Sequence, residues 1–206
     1  QIEKEWIIYT TGVVPALSAV IKALTTPGDK VIVQTPVYNC FFSSIRNNGC
    51  GMIANPLIYR NGTYQIDFAD LEEKLANPQT SMMILCNPHN PTGNIWDRDI
   101  LDKIGKLCKK YHVLVVSDEI HCDITKPGIS YIPFASVSDV CRDNCITCVA
   151  PTKTFNIAGI QTAAVIVADE NIRHRVITGL ETDNLAETNV FAAGAAAAAY
   201  SEGGEW

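Results

Sequence analysis

Ala150-Pro151-Thr152-Lys153-Thr154-Phe155-Asn156-Ile157-Ala158-Gly159 decides the reading of this chain. A lysine stands between two threonines, after the apolar run 146–149 and before a turn of small residues. That setting suits an amine held in a site and shielded from water, not one waving in solvent. Working outward toward the N-terminus, two more polar groups close apolar stretches. Ser117-Asp118-Glu119-Ile120-His121 ends one with an acid, and Asn87-Pro88-His89-Asn90-Pro91-Thr92-Gly93 ends another with an amide and a turn. Strands that alternate with helical stretches imply a mostly parallel sheet covered by helices. In open sheets of that kind ligands gather beyond the carboxyl ends of the strands, and all three polar groups lie at such ends.

The elements around them follow from spacing and punctuation. Apolar residues at helical intervals predict a helix over 13–24, stopped by Thr25-Thr26-Pro27-Gly28-Asp29. A buried strand over 30–34, a helix over 38–46 and an extended run over 51–57 come next. Asn61-Gly62 within 59–64 is a hairpin signal, because that pair accepts the positive φ angles of a type I′ turn. Asn61-Gly62-Thr63 also fits a glycosylation sequon, but no signal-peptide pattern opens the chain, so the turn is the better reading. A helix over 68–76, a strand over 81–86, an amphipathic helix over 98–111 and a strand over 112–116 continue the alternation. Strands over 146–149 and 162–167 and helices over 171–180 and 185–200 complete it. The small-residue run 195–199 predicts close helix packing. No repeat or linker interrupts the chain, so 1–206 reads as one three-layer α/β/α domain.

Bulk composition narrows the partners. The chain has 206 residues, 47% of them hydrophobic, which is enough for one well-buried core. A net charge of −6 leaves no basic patch to neutralise a phosphate backbone, so no nucleic-acid partner is expected. No apolar run approaches the roughly 20 residues of a membrane span, so no membrane partner is expected either. Eight cysteines raise a metal or disulfide reading. Cys145-Ile146-Thr147-Cys148 has CxxC spacing, yet no second pair stands at zinc-finger distance, and its surroundings read as strand, whose residues alternate between faces. Reduced, mostly buried thiols in a cytoplasmic protein are the expectation.

Lysine, aspartate and asparagine on successive strand ends suit pyridoxal phosphate, which needs an imine-forming amine, a carboxylate for its ring nitrogen and a donor for its ring oxygen. The chain resembles the large domain of fold-type I pyridoxal-phosphate enzymes of the class I/II aminotransferase superfamily. Within them it is most similar to the cystathionine β-lyase-like, or C–S lyase, branch. The resemblance runs from Trp6 to about Tyr200. It rests on Asn90-Pro91-Thr92-Gly93, Asp118-Glu119-Ile120-His121 and Thr152-Lys153-Thr154-Phe155-Asn156-Ile157-Ala158-Gly159 standing in family order.

The resemblance implies a role for each position. Lys153 is the catalytic lysine that carries the cofactor and later moves protons at the substrate. Asp118 pairs with the ring nitrogen, Asn90 and His121 reach the ring oxygen, and Tyr38 stacks on the ring. Gly12, Val13 and Val14 open the first helix, whose backbone N–H groups take the phosphate, and Thr152 adds a hydroxyl. No metal is expected. Many relatives carry a serine and an arginine on the phosphate where this chain has Ala150 and Gln161. Losing the arginine removes a forked cationic contact, and the C–S lyase branch lacks it too. The implied reaction is β-elimination from cystathionine or a cysteine conjugate, giving thiol, pyruvate and ammonia. Transamination with the same cofactor is the alternative, and a non-catalytic cofactor-binding fragment is a reading of another class. The resemblance further implies a homodimer, and a longer parent whose N-terminal segment and C-terminal small domain lie outside 1–206.

Overall fold

The computed structural model describes residues 2–187 and 189–206. The chain opens with strand β1 (Ile7–Thr10), helix α1 (Val13–Leu24) and strand β2 (Lys30–Val33). Helix α2 (Cys40–Asn47), strand β3 (Gly51–Ala54) and the hairpin β4 (Ile58–Arg60) and β5 (Thr63–Gln65) follow. Then come α3 (Phe68–Leu75), β6 (Thr80–Cys86), α4 (Arg98–Lys110), β7 (Leu114–Asp118), α5 (Asp139–Asp143) and β8 (Cys145–Val149). Strand β9 (Ala163–Ile166) and helices α6 (Glu170–Thr182) and α7 (Ala192–Glu202) complete the order.

Seven strands form one sheet in the order β1-β9-β8-β7-β6-β2-β3. The centre is parallel: β2 with β3 and β6, β6 with β7, and β7 with β8. The edge turns antiparallel, β9 against β8 and β1 against β9. Parallel central strands are buried on both faces, and adjacent residues Val115 and Val116 of β7 are both fully buried, one on each side. On one face α1, α2 and α6 supply Leu17, Ile21, Phe41, Ile45, Val176 and Leu180 to the core. On the other, α3 and α4 supply Leu71, Leu75, Leu101 and Ile104, with Phe134 beside them. Each such side chain contributes about 1.5–3 kcal/mol of burial.

Local chemistry explains where the elements begin and meet. Side chains of Asp67, Asp97, Ser138 and Asp169 accept backbone N–H groups at the starts of α3, α4, α5 and α6, satisfying donors that a helix leaves open. Asn61 and Gly62 take φ of 52° and 79°, the left-handed pair expected of the hairpin turn. Helix α6 crosses α1 at Gly179, where an added Cβ would lie 2.8 Å from the Cβ of Ala23.

Two expectations need correction, and one strand is new. The helix expected over 185–200 is confined to Ala192–Glu202 where it is described, and Thr188 lies outside the described residues. Leu185 instead closes the end of α6, its N–H on the Leu180 carbonyl at 2.9 Å and its carbonyl on the Thr11 N–H at 3.2 Å. The alanine run does not pack closely. Ala197 and Ala198 are exposed, since nothing among the described residues lies over that face. Strand β1 was missed because its four residues, Ile7-Ile8-Tyr9-Thr10, are too few to show a period, and its partner β9 is far away in sequence.

Candidate active site

The carboxyl ends of β6, β7 and β8 open into a cleft of about 240 Å³. Gly12, Val13, Val14, Tyr38, Asn90, Asp118, His121, Thr152 and Lys153 all line it. Every sequence-predicted site residue is therefore brought to one place. Pro15, Cys86 and Ile120 also form its wall and were not foreseen. Ile120 lies in the turn after β7, where its N–H folds back on Asp118, so strand alternation gave no signal for it. Cys86 could be found only through strand pairing, since it stands opposite Asp118 in the β6–β7 register.

Asp118 is the last residue of β7 and only 5% exposed. Its Oδ1 accepts the Ile120 N–H at 3.2 Å. No other hydrogen bond among the described residues reaches the carboxylate. Burial pushes its pKa up to about 7; the Glu119 carboxylate pushes the same way, while the Ile120 N–H and the Lys153 charge pull against it. Cys86 lies beside it. Burial first, then the Asp118 charge, raise its thiol to about 12, so the sulfur stays protonated. That sulfur accepts the Asn90 backbone N–H at 3.3 Å and donates to the Pro88 carbonyl at 3.4 Å. The turn is thereby pinned through its backbone, and the Asn90 side-chain amide has no hydrogen-bond partner among the described residues.

His121 is half-buried, and burial together with the Lys153 charge holds its pKa below the usual imidazole value. A neutral imidazole can donate from one nitrogen and accept at the other. Tyr38 meets Phe41 edge-on at 5.9 Å and 86°, which fixes its ring at the cleft. Hydrogen bonding to Cys40, then burial, raise its phenol. Gly12 precedes α1 with extended backbone and no side-chain cap. A Cβ there would come within 3.3 Å of the Pro15 ring. The N–H groups at the start of α1 are thus left open toward the cleft, the arrangement that binds anions.

The turn after β8 carries Thr152, which is buried, and Lys153, which is exposed. The expectation of a lysine shielded from water is corrected here. Backbone bonds from Phe155 to Pro151 and from Ile157 to Thr152 shape a tight turn at the rim of the cleft, and nothing among the described residues covers the ammonium. The same turn is braced from outside. The Trp206 indole donates to the Thr154 carbonyl at 2.9 Å, Phe155 packs edge-on against Tyr200, and the Thr154 hydroxyl donates to Asp123 at 3.3 Å. Gln161, at the position of the missing arginine, sits outside the cleft lining with a left-handed φ of 54°.

A larger cavity of about 580 Å³ lies on the opposite face of the sheet, bounded by Trp6, Glu119, Tyr131, Arg142 and Ile166 among others. Its walls are mainly apolar and no lysine lines it. The CxxC pair is structural. Cys145 packs into one core and Cys148 into the other, on opposite faces of β8, and no cluster suited to a metal occurs among the described residues.

A mostly parallel sheet that gathers a lysine, a buried acid and an amide at its strand ends, beside an open helix start, defines an α/β domain with a polar cleft at the carboxyl edge of its sheet. The chain belongs to the class I and II aminotransferase family, which it matches over residues 1–203. It is 48% identical to cystathionine β-lyase PatB of Bacillus subtilis over 206 residues, covering 100% of this chain and 53% of that protein. Protein MalY of Escherichia coli is 31% identical, with 100% and 52% covered. Among solved structures, cystalysin from Treponema denticola, which contains pyridoxal 5′-phosphate, superposes with a TM-score of 0.97 at 37% identity, covering 100% of this chain and 52% of that one. The chain spans about half the length of the curated relatives it matches.

Proposed function

We propose that the protein is a pyridoxal 5′-phosphate-dependent C–S β-lyase and that residues 1–206 are its cofactor-binding large domain. The observation that carries this reading is the single cleft holding Lys153, Asp118, Asn90, His121 and Tyr38 around the uncapped start of α1. These groups fit the cofactor. Asp118 keeps acceptor capacity in a desolvated wall for a ring N–H, the α1 N–H groups and the Thr152 hydroxyl suit a phosphate, and the Tyr38 ring offers a stacking face. When bound, the cofactor supplies a carbonyl for an amine and a ring that draws negative charge from the substrate's Cα.

The protein's own groups do the rest. Lys153 would hold the cofactor through its amine, and that amine, when free, would take the proton from the substrate's Cα. Asp118, once paired with a cation, is held ionised and keeps the ring nitrogen protonated. Asn90 and His121 would reach the ring oxygen, and Tyr38 would offer the ring a stacking face. For cystathionine the net change consumes one water and yields homocysteine, pyruvate and ammonia. The lean toward elimination is supported by the relative named a cystathionine β-lyase, which aligns with all 206 residues, and by His121 and Gln161 at the branch positions. Transamination is the second reading, favoured by the description of the family itself. The proposal includes an amino-acid substrate, a homodimer and a cytoplasmic setting. All eight cysteines are free thiols, in keeping with a reducing compartment.

The test is to incubate the protein and pyridoxal phosphate with cystathionine, and separately with an amino donor and 2-oxoglutarate. Pyruvate with free thiol is expected in the first tube. Glutamate in the second and an untouched first tube would replace lyase by aminotransferase while leaving the cofactor assignment standing.

A further inference from the structure

Glu119 follows Asp118 but points the other way. It lines the cavity behind the sheet and is 2% exposed. A buried carboxylate costs several kcal/mol of desolvation unless its oxygens are filled. Here they are filled. Oε1 accepts the Ser117 hydroxyl at 2.7 Å and the Phe134 backbone N–H at 3.0 Å, and Oε2 accepts the Tyr131 hydroxyl. These donors come from two places: the strand before the turn, and the segment to which the chain returns after a long excursion over 119–133. Loops of that length without secondary structure are uncommon and are usually functional. The excursion carries His121 into the cleft. Its return is nailed down by Phe134, which is fully buried, and by the Asn87 amide, which donates to the Ile132 carbonyl at 3.3 Å.

We infer that Glu119 is a positioning residue: from the back of the sheet it clamps both ends of the 119–133 loop and so fixes where Asp118 and His121 stand in the cleft. Main-chain bonds alone do not do this. The Glu119 N–H reaches the Cys148 carbonyl at 2.9 Å and its carbonyl takes the Cys122 N–H at 3.0 Å, which sets the turn's start but leaves its return free. The side chain closes the loop. Burial pushes the Glu119 carboxyl upward while its three hydrogen bonds pull against that, and the Glu119 carboxylate in turn adds to the upward push that burial gives Asp118. The inference deepens the cofactor reading, so its test separates the two.

Three measurements on the protein and its Glu119→Ala and Glu119→Gln variants decide it. Amide hydrogen exchange over 120–133 should quicken by about ten-fold or more in Glu119→Ala, with the β6–β8 core unchanged. The His121 imidazole, followed by NMR, should titrate closer to an ordinary histidine once its turn loosens. The dissociation constant for pyridoxal phosphate should rise by about ten-fold or more, since misplacing site groups by an ångström is that costly. Glu119→Gln, which keeps the shape and an acceptor for Phe134, should recover most of all three. Should Glu119→Ala not fold, Tyr131→Phe removes one donor and should move the same readouts in the same direction by a smaller factor. Unchanged exchange and an unmoved His121 titration would overturn the clamp. Faster exchange with an unmoved His121 and unaltered cofactor affinity would overturn positioning and leave only loop stability. A wild-type protein that gives no cofactor adduct would sink the cofactor reading, and the exchange and His121 measurements would still judge the clamp.

Discussion

Replacing Asp118 by asparagine should stabilise the cofactor-free protein while disabling it. The side chain is 5% exposed, and burial pushes its carboxyl up to about 7 from the usual aspartate value of about 3.9. Because the folded state holds its proton more tightly than the unfolded chain, the contribution is full below the unfolded pKa and is lost as pH rises through the folded one. Carrying those two values through the linkage relation gives a penalty of about 2 kcal/mol at pH 5 and about 4 kcal/mol at pH 8. Asparagine keeps the shape, can still accept the Ile120 N–H, and never ionises. Urea unfolding of the cofactor-free wild type and of Asp118→Asn at pH 5 and pH 8 isolates the effect, since Glu119 is common to both. The variant's advantage should grow by roughly 2–3 kcal/mol between the two pH values. Saturating pyridoxal phosphate should shrink that growth in wild type by giving the carboxylate a cationic partner. Parallel stability profiles for the two proteins across this range would show that the carboxylate is solvated in the folded chain, and the account of the cleft's desolvated wall would fail.

Lys153→Ala should abolish any borohydride-reducible covalent cofactor adduct, and because the side chain is exposed the unfolding free energy should move by no more than about 0.5 kcal/mol. A reducible adduct surviving in that variant would point to another lysine. Gly179→Ala should destabilise by about 1–2 kcal/mol despite alanine's better helix propensity, because its Cβ must push Ala23 away and part α6 from α1. Thermal unfolding measures this, and a stabilised variant would show that the crossing is looser than described.

How much of this was legible beforehand depended on whether the signal was local. Helix α1 was bounded correctly at Val13 and Leu24, because an apolar period and a Pro-Gly stop coincide there. The hairpin followed from Asn61-Gly62. The nine residues named by motif resemblance share one cleft because the parallel sheet brings the ends of its strands together. What was hidden was set by distant parts of the chain. The exposure of Lys153 depends on what lies over its turn. The place of β1 depends on β9, and the roles of Cys86, Tyr131 and Glu119 depend on strand register and on the return of a long loop. The alanine run misled because small residues permit close packing without supplying a partner.

The burial of β7 on both faces has a consequence for how the strand finds its place. In a sheet with one wet face, alternation of greasy and polar side chains fixes the frame, because a slip of one residue turns every side chain over. Leu114-Val115-Val116 offers no such alternation, and would be nearly as content one step along. Ser117, Asp118 and Glu119 would not. A shift by one would thrust Glu119 into the cleft and Asp118 into the groove behind, where the shorter arm falls short of Tyr131 and Phe134. The acids at the end of β7 thus act as the strand's reading frame: they tell one near-degenerate alignment from the next during folding, in a stretch where oiliness alone is silent.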